Sequence, residues 1–214
     1  LSIFASAANT DRDSYYGPGN DPLKAYGKTT DLTAMGGAQY VHTFDKCFFM
    51  PSDLTAGLEY NRDRLKDNMW GYDRHTDQTV NIYSAFLQNE WKNDRWGILI
   101  GGRLDKHNMV DNVIFSPRAN LRFNPTQNIN LRLSYSSGFR APQAFDEDMH
   151  IENVGGTVAM IERAKNLKEE KSQSFSASAD MYHRFGVFQT NFLIEGFYTR
   201  LTDVFVLGEP YDRG

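Results

Sequence analysis

The 214-residue sequence predicts an all-β fold: an antiparallel transmembrane β-barrel wall of about nine strands. Three observations carry this. Apolar and polar residues alternate with period two along most of the chain, and helical periodicity is nearly missing. The polar parity repeatedly holds Arg, Glu, Asp and Asn, so one face wants water and the other wants lipid. The connections also alternate between long and short.

The strands are expected at about 1–8, 30–43, 54–65, 78–91, 95–106, 113–123, 128–140, 172–183 and 187–200. Most exceed the five or six residues usual in globular sheets, and about 9–11 residues suit a tilted membrane crossing. In 54–60, Leu54, Ala56, Leu58 and Tyr60 oppose Thr55 and Glu59. In 95–106, Trp96, Ile98, Ile100 and Leu104 share one parity against Arg95, Arg103 and Asp105. Val113, Phe115, Pro117, Ala119, Leu121 and Phe123 oppose Ser116, Arg118, Asn120 and Arg122. Ile129, Leu131, Leu133 and Tyr135 oppose Asn130, Arg132, Ser134 and Ser136, with Arg140 ending that strand on the polar parity. Phe175, Ala177 and Ala179 oppose Ser174, Ser176 and Asp180, and Phe192 and Ile194 oppose Asn191 and Glu195.

From these boundaries the connections run about 21, 10, 12, 3, 6, 4, 31 and 3 residues. Outer-membrane barrels join strands by long extracellular loops and short periplasmic turns in alternation. Short turns are expected at 92–94, 124–127 and 184–186. The segment Phe44 to Asp53 is long for such a turn, and Phe48-Phe49-Met50 either extends a strand or sits in an aromatic girdle. Tyr40, Phe44, Trp91, Trp96, Phe123 and Phe139 fall near strand ends, as girdle residues do. Nine strands is odd, whereas bacterial single-chain barrels are even, so a longer barrel is expected.

Composition narrows the function classes. The net charge is −4 with no Lys/Arg-dense run, which speaks against nucleic acid as a partner. A single cysteine, Cys47, excludes a disulfide framework and a cysteine-based zinc site. The longest stretch without a charged side chain runs from Leu32 to Phe44, too short and too polar for a helical span. There is no G-x-S-x-G and no H-E-x-x-H, and Gly17-Pro18-Gly19 lacks the strand–loop–helix context of a phosphate cradle, so no enzyme and no cofactor is expected.

Candidate ligand contacts are the loop aromatics. Tyr15, Tyr16 and Tyr26 fall in the first long connection, and Trp70 and Tyr72 in the second. Flat amphipathic rings at a wet barrel mouth suit large planar or chelated ligands, and they equally suit interfacial anchoring. Asp146, Glu147, Asp148 and Glu152 form an acidic run, read as a solvated face or as oxygen ligands for Ca²⁺, the one metal site suggested. Arg140 either meets an anionic ligand or anchors loop carboxylates such as Asp146 or Glu147; the anchoring role is preferred.

Four ordered segments carry a family resemblance. Residues 135–142, Tyr-Ser-Ser-Gly-Phe-Arg-Ala-Pro, contain Phe139-Arg140-Ala141-Pro142. Asn166-Leu167-Lys168-Glu169-Glu170-Lys171-Ser172, Glu195-Gly196-Phe197-Tyr198 with Leu201-Thr202-Asp203-Val204, and Ser84 to Trp91 complete the set. Together they resemble TonB-dependent outer-membrane receptors, and the wording of 138–152 is most like receptors of Bacteroidetes-type bacteria. The resemblance implies that residues 1–214 are part of a barrel of about 22 strands in the bacterial outer membrane. It implies a lumen filled by a plug, which is not in this sequence, and through it a TonB partner. The implied activity is import of a bulky metal chelate: a siderophore–iron complex, haem or a corrinoid. The partners are then that small molecule, TonB and outer-membrane lipid. A glycan importer and a non-transporting structural or adhesive barrel are the alternatives. Haem-type receptors place a ligating histidine after the Phe-Arg-Ala-Pro box, an interval that His150 occupies here, although the following Lys165-Asn166-Leu167 lacks the expected proline.

Overall fold

A computed structural model describes residues 1–15, 26–70, 73–143, 152–154, 157–159, 164, 167–206 and 208. Nine strands form one sheet: β1 (Ser2–Tyr15), β2 (Tyr26–Cys47), β3 (Met50–Met69), β4 (Arg74–Lys92), β5 (Trp96–His107), β6 (Val113–Thr126), β7 (Ile129–Arg140), β10 (Glu170–Phe185) and β11 (Phe188–Thr202). Two short strands, β8 (Glu152–Val154) and β9 (Thr157–Ala159), pair as a separate ribbon inside the connection expected to be a plain loop. The sheet order is sequential, and every neighbouring pair is antiparallel. A meander needs only local connections, so the expected strand order holds throughout. Among the described residues no helix is long and apolar enough to cross a membrane.

The expected short turns close one rim at residues 93–95, Gln127-Asn128 and Gly186-Val187. The uncertain segment 44–53 resolves in favour of longer strands. β2 runs on to Cys47 and β3 starts at Met50, with Phe48 at φ 63° turning the chain. Gly186, at φ 58°, does the same between β10 and β11. The first strand is a larger correction. Its alternation predicts an end at residue 8, but β1 continues to Tyr15 and pairs with β2 from Ser2↔Gln39 to Tyr15↔Tyr26. Beyond Ala8 both of its faces are polar, so alternation disappears while pairing does not.

Register carries the face assignment across the sheet. Directly opposed residues share a face. Ile100, Ala119, Tyr135, Phe175 and Tyr198 lie in one such row, and Trp96, Phe123, Leu131, Ala179 and Ile194 in another. These rows form the outward face. Arg103, Asp105, Glu59 and Ser84 belong to the opposite face, as do Arg118, Arg122, Arg132, Arg140, Asp180 and Glu195. Most of the buried strand side chains, among them Thr29, Leu65, Asp67, Gln78, Val80, Asp105 and His107, lie on that second face. Arg95 departs from the expected set. It sits in the turn before β5, and its guanidinium lies 5.9 Å from the ring centroid of outward-facing Phe123.

Aromatic pairs mark both edges of the outward band. Toward the short turns, Trp96 stacks on Phe123 at 4.2 Å and Phe49 on Trp91 at 5.7 Å. Toward the long connections, Tyr60 meets Tyr83 at 4.9 Å and Tyr135 meets Phe175 at 4.8 Å. From Trp91 to Tyr83 the strand covers about 27 Å, or about 21 Å once tilted by about 40°, close to the apolar band of such barrels. Phe139 is not a girdle residue. It packs against Val110, Ile114 and Ala141 at the extracellular end.

The inner wall is tied together by one cluster. Arg103 donates to Glu59 at 2.5 Å, to Asp105 at 2.8 Å and to Ser84 at 2.8 Å, and Ser84 donates to Asp105 at 2.6 Å. Three strands are thereby clamped by one guanidinium. Next to it the Phe86 ring crosses Gly57, where an added Cβ would lie 2.3 Å from the ring and 3.0 Å from the Ala38 carbonyl oxygen. Gly57→Ala should therefore lower the urea stability of the full receptor by about 1–3 kcal/mol through overpacking. Phe86→Leu in the same chain should recover part of the loss; a cost that is unchanged by Phe86→Leu would place the strain in the backbone instead.

Candidate functional site

β2, β3 and β4 run past the upper aromatic pairs, and their outward residues there become Lys28, Arg62, Arg64, Lys66 and Asp77. Charges on the outward face place these extensions above the lipid. The extracellular rim is built on them.

The aromatic candidates divide on this frame. Tyr15 and Tyr26 end β1 and begin β2 as a directly opposed pair, so both sit on strands rather than in a loop. Trp70 follows β3, and its ring stacks on Tyr26 at 5.9 Å and 9°. The Tyr26 hydroxyl is hydrogen-bonded to Asp13, and that bond, with burial and the Asp13 charge behind it, raises the phenol pKa above its ordinary value. By parity Tyr15 and Tyr26 face outward, away from the lumen. Tyr16, Tyr72, His150, Asp146, Glu147 and Asp148 lie outside the described residues.

The inward side of the same extensions carries a polar network that the sequence did not single out. Asp67, 1% exposed, accepts from Thr29 at 2.6 Å and from Arg74 at 2.7 Å, and Arg12 reaches Thr29 at 3.5 Å. Two further nitrogens of Arg74, Nε and Nη1, are buried and have no hydrogen-bond partner among the described residues. No motif links residues 12, 29, 67 and 74; only the β1–β4 register brings them together. Alongside lie Asp31 and Asp63. Burial first, and then the neighbouring Asp31 carboxylate, push the Asp63 pKa up.

The Phe139-Arg140-Ala141-Pro142 box closes the other side. Ala141 is buried against Val110 and Ile114. Arg140 lies on the inward parity, 3.9 Å from Glu170, and its guanidinium is 5.9 Å from the Phe205 ring centroid. It thus meets the next strand and the segment after β11, while Asp146 and Glu147 are not among the described residues. His107, at the end of β5, is 1% exposed and holds the chain that follows the box. Its Nδ1 accepts from the Met109 amide at 3.1 Å, so its Nε2 carries the proton toward the Gln143 side-chain oxygen, also at 3.1 Å. Among the described residues no group of three or more His, Cys, Asp or Glu could hold a metal ion.

The Asp31–Asp63 pair gives a signed expectation. A raised carboxyl pKa means that the folded state resists ionisation, so the cost is fully present above the raised value and vanishes below the unfolded value of about 3.9. Asp63→Asn should slow hydrogen exchange of the β2–β3 extension amides at pH 7, after correction for intrinsic rates. The gain should fade as the pH approaches 4. Faster exchange at pH 7 would show the carboxylate to be stabilising.

No curated protein matches the chain in sequence. Solved structures do match in fold. The ferric enterobactin receptor of Pseudomonas aeruginosa is 18% identical, with a TM-score of 0.60 over 85% of this chain and 29% of its own. The siderophore receptor PirA of the same organism is 12% identical, with a TM-score of 0.58 over 89% and 38%. The alcaligin outer-membrane receptor FauA of Bordetella pertussis is 14% identical, with a TM-score of 0.58 over 93% and 33%. The chain therefore spans well under half the length of these receptors. The family described as TonB dependent receptor-like, beta-barrel, matches residues 2–213. A nine-stranded antiparallel wall with a lipid face, a polar inner face and a built-up extracellular rim, matched over nearly its whole length, belongs to the outer-membrane β-barrels of the TonB-dependent receptors.

Proposed function

We propose that this wall is part of an importer for a bulky metal chelate, such as a siderophore–iron complex, haem or a corrinoid, driven by TonB. The observation that carries the reading is the family match over residues 2–213, joined to structural neighbours whose names are those of siderophore and ferric-chelate receptors. The family consists of receptors and transporters, not enzymes, so the work is binding and gating. Capture must be tight to collect a scarce nutrient, and release then requires a change of affinity, because a ligand held equally well in both states shifts nothing.

In this reading the rim presents and the wall conducts. The Tyr26–Trp70 stack, with Tyr15 beside it, holds the β1–β2 and β2–β3 extensions together from outside. The connections it supports carry Tyr16 and Tyr72, the aromatic residues proposed to meet the ligand. His150 and the acidic residues Asp146, Glu147 and Asp148 belong to the long connection anchored by Arg140, Ala141 and His107. The metal is cargo, and the protein needs no resident cofactor.

Two measurements on the intact gene check this. Iron or cobalamin limitation should raise its expression, and deletion should slow growth on limiting chelate while sparing growth on polysaccharide. Growth lost on one polysaccharide, with chelate uptake unchanged, would make it a glycan importer. In the full receptor, Tyr26→Ala with Trp70→Ala should weaken cell-surface chelate binding more than Arg140→Lys, which keeps the charge beside Glu170.

A further inference from the structure

The outward face changes character row by row above the Tyr60–Tyr83 ring pair. The first row above it is Ala7, Ala34, Arg62 and Asn81. The second is Asn9, Leu32, Arg64 and Thr79, and the third is Asp11, Thr30, Lys66 and Asp77. Two residues advance a strand by about 7 Å, or about 5 Å along the membrane normal at a tilt of about 40°. The rows therefore stand about 5, 10 and 15 Å above the ring pair. The headgroup layer adds about 5–8 Å on each side of the hydrocarbon. Arg62 stands within that layer, and Arg64, on a long flexible stem, reaches down into it. The third row clears it.

Charge is sorted by the same depth. Arg62 and Arg64 are exposed, and β3 lies inside the sheet, so the strands on both sides of them are in view. Their direct neighbours are Ala34 and Leu32 on β2, and Asn81 and Thr79 on β4, none of them acidic. Among the described residues neither arginine is in an ion pair. The outward acids of β1 and β4 stand further from the membrane and are engaged. Asp77 is held by Lys66 at 3.4 Å, Asp11 accepts from Asn9 at 2.9 Å, and Asp13 bonds the Tyr26 hydroxyl. Lys106, level with Tyr83, is directed to the carbonyl oxygens of Val110 and Asp111, at 3.1 and 2.6 Å. The two cations nearest the lipid are thus the two without a countercharge.

Beside them the lipid face is hollowed. The outward residues of β1 and β2 at and around the ring row are Ala5, Ala7, Ala34, Gly36 and Ala38, next to the larger Leu58 and Tyr60 of β3. A Cβ added at Gly36 would meet nothing closer than 3.7 Å, so the floor is open there. A shallow apolar trough therefore runs up the face and ends beneath two unpaired guanidiniums. A diacyl lipid with an anionic head has the matching order, hydrocarbon below and charge above. Phosphate fits the arginine fork by paired N–H···O bonds.

We propose that Arg62 and Arg64 bind the phosphate of an outer-leaflet lipid whose acyl chain lies in the Ala5–Ala7–Ala34–Gly36 trough. The inference rests on the lipid-facing assignment of this sheet face and not on which chelate is imported.

Native mass spectrometry of the delipidated full receptor in neutral detergent tests this, with dilauroyl phosphatidic acid as the probe. Arg62→Gln with Arg64→Gln should weaken its binding at least tenfold. Lys28→Gln with Lys66→Gln removes the same charge above the headgroup layer and should change binding less than twofold. Gly36→Leu keeps every charge and fills the trough; it should weaken binding at least threefold, and it carries the test if the arginine double variant fails to assemble. Dilauroylglycerol, which has the same tails and no phosphate, should bind the wild type and the arginine variant equally and weakly. Inorganic phosphate at the probe's concentration should not displace the probe. Equal loss in the lysine and arginine variants would reduce the effect to net charge and overturn the proposal. So would displacement by inorganic phosphate, unchanged binding in Gly36→Leu, or an arginine variant that keeps its lipid and loses a co-purifying protein instead.

Discussion

Everything in this sheet follows from the requirement that backbone amides and carbonyls crossing hydrocarbon be paired within the protein. Lipid offers them no hydrogen bonds, and an unpaired group costs several kcal/mol. The chain meets the requirement with a simple pairing: the nine strands of the sheet follow chain order, each antiparallel to the next, with only the short β8–β9 ribbon set apart between β7 and β10. Period-two geometry then hands alternate side chains to two different solvents. Trp96, Ile98 and Ile100 can face lipid only because Arg103 and Asp105, on the other parity of the same strand, face the polar interior and find Glu59 and Ser84 there.

That constraint explains why the fold was legible and where legibility ended. Inside the membrane band, alternation is enforced by two solvents, and β5, β6 and β7 were found to within a few residues. Above the band both faces meet water, so nothing enforces a pattern. Asn9, Asp11 and Asp13 on the outward side of β1 read as loop residues, yet the strand continues to Tyr15 through backbone pairing alone. The same loss of contrast hid the upper ends of β3 and β4. At Phe44–Asp53 the opposite happened: apolar residues at the interface blurred a tight turn held by the positive φ of Phe48.

The site was less legible because its contacts are distant in sequence. The sequence places Tyr26 and Trp70 each near the mouth, but their stacking depends on the β2–β3 register. His107 and Gln143 lie 36 positions apart, and no local pattern joins them. Arg12, Thr29, Asp67 and Arg74 come from four strands. The box at Phe139 to Pro142 was visible as a motif, and its physical role is now clearer: Phe139 and Ala141 pack into the Val110–Ile114 cluster at the end of β7, fixing where the long connection departs. The rim is thus a set of strand ends braced from outside by aromatic stacking and from inside by buried polar bonds, above a wall that separates lipid from the lumen.

The most direct test of this two-solvent sheet is a spin-label scan of residues 96–106 in the full receptor, in outer-membrane vesicles, with Cys47 first replaced by serine. Labels at positions 96, 98, 100, 102 and 104 should be accessible to lipid-soluble oxygen. Labels at 97, 99, 101, 103 and 105 should be poorly accessible to it, giving a strict period of two with Arg103 and Asp105 in the oxygen-poor phase. A helical period, the reverse phase, or no oscillation at all would contradict the assignment of lipid and lumen on which the fold, the rim and the proposed transport path rest.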